Sequence, residues 1–148
     1  MTAEERAGKG ASAPGDRAQS PFVQLIGARE EEWREGYVRL ALTLESKHTN
    51  PHGVVHGGVL TTLMDEAIGG VIASVRGLEE MGIAPHSTVA MNVSFLGSAR
   101  AGDEILIEAR VLKVGRSIAF GEAEVRKRGS DAVIAKGGLT FSIRQRRG

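Results

Sequence analysis

Gly57-Gly58-Val59-Leu60-Thr61-Thr62-Leu63-Met64-Asp65-Glu66-Ala67-Ile68-Gly69-Gly70-Val71-Ile72-Ala73-Ser74-Val75-Arg76 is the stretch whose reading decides the fold of this chain. Leu60, Leu63, Met64, Ala67, Ile68, Val71, Ile72 and Val75 recur at steps of three and four, the period of a helix that buries one face. At ~1.5 Å per residue it is about 30 Å long and needs a large apolar surface to lie against. The flanking sequence supplies strands for that surface. Upstream, Pro21 to Gly27 reads as a short helix leading into a first strand that ends near Trp33. Glu35-Gly36 is a turn, and Tyr37–Leu44 is a strand with Val38, Leu40 and Leu42 on one face. Glu45 to Val55 carries Asn50-Pro51 and Gly53 and reads as a loop. Downstream, Thr88–Leu96, Glu104–Val114, Ser117–Arg126 and Ala132–Ile143 read as four strands. Their junctions, Ala101-Gly102-Asp103, Gly115-Arg116 and Arg128-Gly129-Ser130-Asp131, are short enough to make neighbours antiparallel. The expected architecture is α+β, a curved antiparallel sheet wrapped around one long central helix.

The chain has 148 residues, room for one ordinary domain. Its hydrophobic content of 41% and charged content of 25% are those of a globular protein. A net charge of +1 gives no strong pull towards nucleic acid or membrane, and with no cysteine there is neither disulfide nor thiolate chemistry. Residues 1–20 are rich in Ala, Gly, Ser and charge and lack the apolar core of a signal peptide. They are expected to be a disordered leader to a domain over 21–148, in a cytoplasmic protein. The longest apolar stretches are read as interrupted too early to span a bilayer.

The start of the long helix carries the chemistry. Its first amides have no internal partner and sit at the positive end of the helix dipole. Glycines at positions 57 and 58 would let a substrate carbonyl or an anion approach those N–H groups. On a helical projection Asp65 borders the apolar stripe, beside Thr61, Ile68 and Ile72, whereas Glu66 points towards Thr62 and Ala73. A carboxylate at an apolar border is costly unless paired or reactive, which favours Asp65 as the working acid. Each part also has a plainer reading: Gly-Gly as punctuation, Asp65-Glu66 as a solvated face, Asn50 as a turn former. The combination at this spacing is what points to a site.

Other chemistries find no pattern. His48, His52 and His56 are spaced by four, but Pro51 and Gly53 interrupt any helix there, so no metal site is expected. There is no Gly-x-Ser-x-Gly elbow, no phosphate-binding loop and no dinucleotide fingerprint at Gly69-Gly70. The basic end Arg144-Gln145-Arg146-Arg147 lacks aromatic stacking partners and reads as a flexible tail rather than a nucleic-acid site.

Asn50, Gly53, His56-Gly57-Gly58 and Asp65, followed by Ala90-Met91-Asn92-Val93-Ser94-Phe95 and Ala99-x-x-Gly102-Asp103, resemble the hotdog-fold acyl-CoA thioesterases of the phenylacetate-degradation and thioesterase-superfamily type. The resemblance covers roughly Pro21 to Ile143. It implies a thioester substrate, with the Gly57 amide polarising the carbonyl and Asp65 acting as general base or as nucleophile. It further implies that Asn50 orients the thioester or water, that His56 supports these groups, and that Thr88 supplies a hydroxyl to the carboxylate or its water. The site would be shared across a homodimer, within a homotetramer, with Asp65 facing the partner's Asn50 and the partner's Gly57. Two departures stand out. Gly69 occupies a position where some relatives carry a hydroxyl, and Leu96-Gly97-Ser98 replaces an Arg-Pro found in many.

Coenzyme A, here part of the substrate rather than a cofactor, needs cations for its phosphates. Gly58, Arg116 and Ser117, and Arg126 and Lys127 with neighbouring Arg128, are candidates, as is Arg100; ordinary solubilising surface is the competing reading for the basic residues. The expected function is hydrolysis of an acyl- or aryl-CoA thioester to free acid and CoA. The alternatives are a hotdog enoyl-CoA hydratase or dehydratase using His56, and a module that binds acyl-CoA without turnover.

Overall fold

The structure is a computed structural model that describes residues 19–145. Most of the expected leader, and Arg146 and Arg147 of the basic tail, lie outside the described residues. Ser20, assigned to the leader, caps helix α1 (Pro21–Ile26): its hydroxyl accepts the Val23 N–H at 3.3 Å, Pro21 occupies the first turn, and Gly27 ends the helix with φ 89°. Strands β1 (Arg29–Arg34) and β2 (Tyr37–Thr43) form a hairpin through Glu35-Gly36. A single 3-10 turn, Ser46–His48, interrupts the loop that follows. The long helix α2 runs Gly57–Arg76, with the bounds its periodicity requires. A short helix α3 (Leu78–Ile83) then leads into β3 (His86–Phe95), β4 (Glu104–Val114), β5 (Ile118–Lys127) and β6 (Val133–Ile143). Helix α3 was not expected from sequence; it buries no residue, so it leaves no apolar period to read.

The six strands form one antiparallel sheet in the order β1-β2-β4-β5-β6-β3. Two expectations need correction here. The sheet is not wrapped around the helix: it is open, with β1 and β3 as free edges, and α2 lies across one face, chiefly on β4, β5 and β2. The fold is α+β and hotdog-like, but the helix keeps two uncovered flanks, with Thr61 and Asp65 half-buried on one and Thr62 and Glu66 half-buried on the other. In addition β3 does not pair with β4 across their short junction. It crosses to the far edge beside β6, because β2 already occupies the free side of β4 in register from Tyr37↔Arg110 to Thr43↔Glu104.

The apolar stripe of α2 is used as its period requires. Leu60, Leu63, Met64, Ala67, Ile68, Val71 and Ile72 are buried, against Val38, Leu40 and Leu42 of β2, Ile105, Ile107 and Ala109 of β4, and Ala119, Ala123 and Val125 of β5. Val75, counted in the stripe, is instead 39% exposed. By length and composition α2 could cross a membrane, contrary to the sequence reading, but its apolar residues are spent on this core. Glycines set how closely helix and sheet approach. A Cβ on Gly121 of β5 would lie 2.5 Å from Ile68 Cγ2 and 3.3 Å from the Arg110 carbonyl oxygen. Gly121→Val should therefore destabilise the fold by about 1–3 kcal/mol. Urea denaturation of the variant checks this, and an unchanged midpoint would contradict the packing described.

Candidate active site

The loop between β2 and α2 is held by its own polar groups. His48 is buried; its Nδ1 accepts the Glu45 N–H at 2.9 Å, so the proton resides on Nε2, which donates to the Ile26 carbonyl at 2.7 Å. The His48 carbonyl in turn accepts the His56 N–H at 2.8 Å. Between these anchors, Asn50 Oδ1 accepts the backbone N–H of His52 at 2.9 Å and of Val54 at 3.4 Å, a local turn that leaves its Nδ2 donors for other partners. Gly53 closes the turn with φ 77°, a left-handed conformation that explains glycine here. The three histidines do not converge: His48 is buried, while His52 and His56 are exposed. Among the described residues no group of three or more His, Asp or Glu side chains could hold a metal ion.

The helix start has one open donor. His56 is the N-cap, and its Nδ1 accepts the Gly58 N–H at 2.8 Å. Its carbonyl takes the N–H groups of Val59 and Leu60 at 3.0 and 3.4 Å. Among the described residues nothing accepts the Gly57 N–H. The Gly58 amide is thus engaged within the chain, and the Gly57 amide is the one available to a ligand. A Cβ on Gly57 would stand 3.2 Å from the Phe95 ring, so glycine there also admits the β3 aromatic.

Farther along the same helix, Asp65 is half-buried and accepts a hydrogen bond on Oδ1 from the hydroxyl of Thr88. Glu66 looks to the other side, where Ser20 Oγ donates to it at 3.5 Å. The two acids thus face different ways along α2. The fold brings Asp65 and Thr88 together, but not Asp65 and the helix start: eight residues put Gly57 about 12 Å away along the axis. No hydrogen bond links Asn50 to Asp65 within one chain either.

Sequence reading missed His86. It lies two residues before Thr88 on the same face of β3, a relation that the strand period of two could have signalled. Its Nε2 lies 3.0 Å from the Gly69 carbonyl and its Nδ1 3.1 Å from Arg76 Nη1. Burial, together with the Arg76 charge, lowers its pKa below the ordinary 6.5, although the Gly69 carbonyl pulls the other way. The unfolded chain therefore binds a proton at His86 before the folded one does. The stabilisation is fully present above pH 6.5 and is lost as pH falls through the lower folded value. Thermal melts between about pH 7 and 5 should show wild type losing stability relative to His86→Gln; parallel curves would contradict this.

The two basic groups proposed for phosphates differ in their engagement. Arg126 pairs with Glu108 and lies 3.9 Å from Asp131, Lys127 lies 3.4 Å from Asp103, and Arg128 pairs with Glu31 and Glu104. Arg116, at the β4–β5 turn, has no carboxylate partner among the described residues. It lines a cleft of about 470 Å³ together with Arg76, Arg144, Gln145 and the acidic Glu80. Arg100 flanks the Asn50 loop, pairing with Val54.

An open antiparallel sheet carrying one long helix, with an open amide at the helix start and a braced carboxylate on its flank, defines a hotdog-like α+β protein. The family model of the thioesterase superfamily matches residues 52–134. Human acyl-coenzyme A thioesterase 13 is 33% identical over 103 residues, 69% of each chain. Among solved structures, zebrafish thioesterase superfamily member 2 superposes with a TM-score of 0.74 at 32% identity, covering 83% of this chain and 87% of that one. The phenylacetic acid degradation protein PaaI of Thermus thermophilus shares the fold, with a TM-score of 0.73 at 23% identity over 83% and 98% of the two chains. The chain belongs to the thioesterase superfamily.

Proposed function

We propose that this protein hydrolyses acyl- or aryl-CoA thioesters to the free acid and CoA, with Asp65 as the reactive carboxylate and the Gly57 amide as oxyanion donor. The observation that carries this reading is the half-buried Asp65 carboxylate, fixed by the Thr88 hydroxyl on an uncovered flank of α2. As general base, Asp65 takes a proton from water as the water oxygen adds to the thioester carbonyl; the C–S bond then breaks and the thiolate of CoA leaves and is protonated. As nucleophile, it would form an acyl–aspartyl anhydride that water cleaves. In both cases the negative charge on the carbonyl oxygen needs a donor, which a water-excluded backbone N–H supplies well.

Because Gly57 and Asp65 of one chain are too far apart to act on one carbonyl, the reading requires two chains, with Asp65 of one opposite the partner's Gly57 and the partner's Asn50. Strand β3 supports this. It is a free edge, and Val89, Met91 and Phe95 on it are each at least half exposed. A homodimer through β3, doubled into a tetramer, covers them. The donors of Asn50 Nδ2 then point to the thioester or its water, and His56 holds the helix start in place. For the nucleotide of CoA, Arg116, without a carboxylate partner among the described residues, is with Ser117 the better anchor than Arg126 with Lys127. Arg116→Ala is expected to raise KM about 5- to 10-fold with kcat unchanged, and Arg126→Ala to leave KM within about twofold. Equal effects of the two would contradict that choice. A hydratase using His56 as its base is disfavoured because Nδ1 accepts the Gly58 N–H, which places the neutral ring's proton on Nε2. Thiol release from a panel of aliphatic, hydroxylated and aromatic acyl-CoAs tests the proposal. Release from at least one member is expected, and CoA binding without release from any would overturn it.

A further inference from the structure

We propose that His86 is a positioning residue of this site: its imidazole ties edge strand β3 to helix α2 and so holds the Thr88 hydroxyl on Asp65. The proposal rests on the reading of Asp65 as the reactive carboxylate. Within the chain β3 has a strand neighbour on one side only, β6, and its register with β6 shifts between Thr88 and Ala90, immediately after the hydroxyl in question. Strand pairing fixes β3 within the sheet, but the distance from Thr88 to the helix is set only by contacts between the sheet face and α2. The cross-link from His86 is one of these contacts. His86 and Thr88 share a face two residues apart, and Gly69 follows Asp65 by one turn of α2. The two contacts, His86 to the Gly69 carbonyl and Thr88 to Asp65, are thus parallel rungs about 6–7 Å apart on both elements.

Both ring nitrogens are committed. Nε2–H donates to the Gly69 carbonyl at 3.0 Å, and Nδ1 accepts from Arg76 at 3.1 Å, with Arg76 itself held by the Ala84 carbonyl. The ring stands edge-on to Phe141, with centroids 5.2 Å apart at 90°. No nitrogen is left to touch substrate, so the role is geometric. A Cβ at position 69 would make only ordinary van der Waals contact with Phe141, at 3.6 Å, and His86 Nε2, at 3.9 Å, so the docked ring does not require glycine there.

The test compares three substitutions. His86→Gln keeps a donor near the Nε2 position, His86→Asn keeps only a group near Nδ1, and His86→Leu keeps neither. With an acyl-CoA that wild type hydrolyses, His86→Gln should stay within about threefold in kcat. His86→Asn and His86→Leu should lose about 10-fold with KM unchanged, as expected for one hydrogen bond. In a Thr88→Val background the same replacements should cost nothing further, because the hydroxyl they position is gone. Losses that multiply independently of Thr88, or a Leu variant equal to wild type, would overturn the proposal. If His86→Leu fails to fold, the Asn and Gln pair decides. A readout free of turnover separates this from the reaction itself: three-bond couplings to the Thr88 methyl should report one χ1 rotamer in wild type and the Gln variant, and averaging in the Asn variant. If no acyl-CoA is hydrolysed, the reading of the reaction fails. If the Thr88 rotamer is indifferent to residue 86, the positioning role fails.

Discussion

Asp65→Asn is expected to lower kcat for thioester hydrolysis by about 10²- to 10⁴-fold with the fold intact, the range typical of losing a general base. Asn matches the carboxylate in shape and can still accept the Thr88 hydroxyl through its own oxygen. It cannot take a proton from water or form an anhydride. Because Asp65 sits on an uncovered flank and not in the buried stripe, the melting temperature should move by no more than a few degrees, corresponding to less than about 1 kcal/mol. Glu66→Gln, one residue on, is the comparison. Glu66 faces Ser20 on the other side, so its turnover should stay within about twofold of wild type. An Asp65→Asn enzyme that keeps wild-type kcat would remove the carboxylate from the reaction.

Gly57→Pro is expected to reduce kcat by about 10²- to 10³-fold, the loss associated with deleting one oxyanion donor. A backbone N–H is normally beyond the reach of substitution, but this one can be deleted cleanly. Gly57 is the first residue of α2, where proline is tolerated because the N–H has no helical partner to lose. The preceding residue, His56, already has φ −67° and ψ 131°, the conformation that a following proline demands. Gly57→Ala is the control for bulk. Its Cβ presses the Phe95 ring at 3.2 Å, a neighbour that can yield by a few tenths of an ångström, while the N–H survives. The Ala variant should keep most of its activity and the Pro variant little. Equal losses would assign the effect to crowding against Phe95 rather than to the donor.

Much of this was legible in the sequence, for identifiable reasons. The bounds of α2 follow from an uninterrupted 3.6-residue apolar period that begins at a cap and ends before Gly77. Asp65 was separable from Glu66 because the two project onto different flanks of that helix. The curvature and closure of the sheet were not legible, since the same alternating strands serve an open sheet or a wrapped one. Nor was the place of β3: short junctions favour hairpins, and only the pairing of β2 with β4 forces β3 to the far edge. At the site, residue types and spacing pointed to Gly57 and Asp65, and the family resemblance added Asn50 and Thr88. They could not reveal that His56 already holds the Gly58 amide, or that His86 braces the strand that carries Thr88. Such contacts depend on tertiary placement. The ion pairs that occupy Arg126 and Lys127 were hidden for the same reason, because their acidic partners lie on other strands and turns.

The central claim is thioester hydrolysis at a site shared by two chains, and subunit complementation tests it most directly. Asp65→Asn and Gly57→Pro proteins, each nearly inactive alone, would be mixed under conditions in which subunits exchange, with exchange followed by mass. In a mixed dimer one site has an intact Asp65 facing the partner's intact Gly57, and the other site has neither. Random exchange makes about half of the dimers mixed, so thiol release from acyl-CoA should recover to about a quarter of the wild-type rate. Recovery to that level is the expected result. Mixed dimers that form but release no thiol above the sum of the two variants would contradict a shared site.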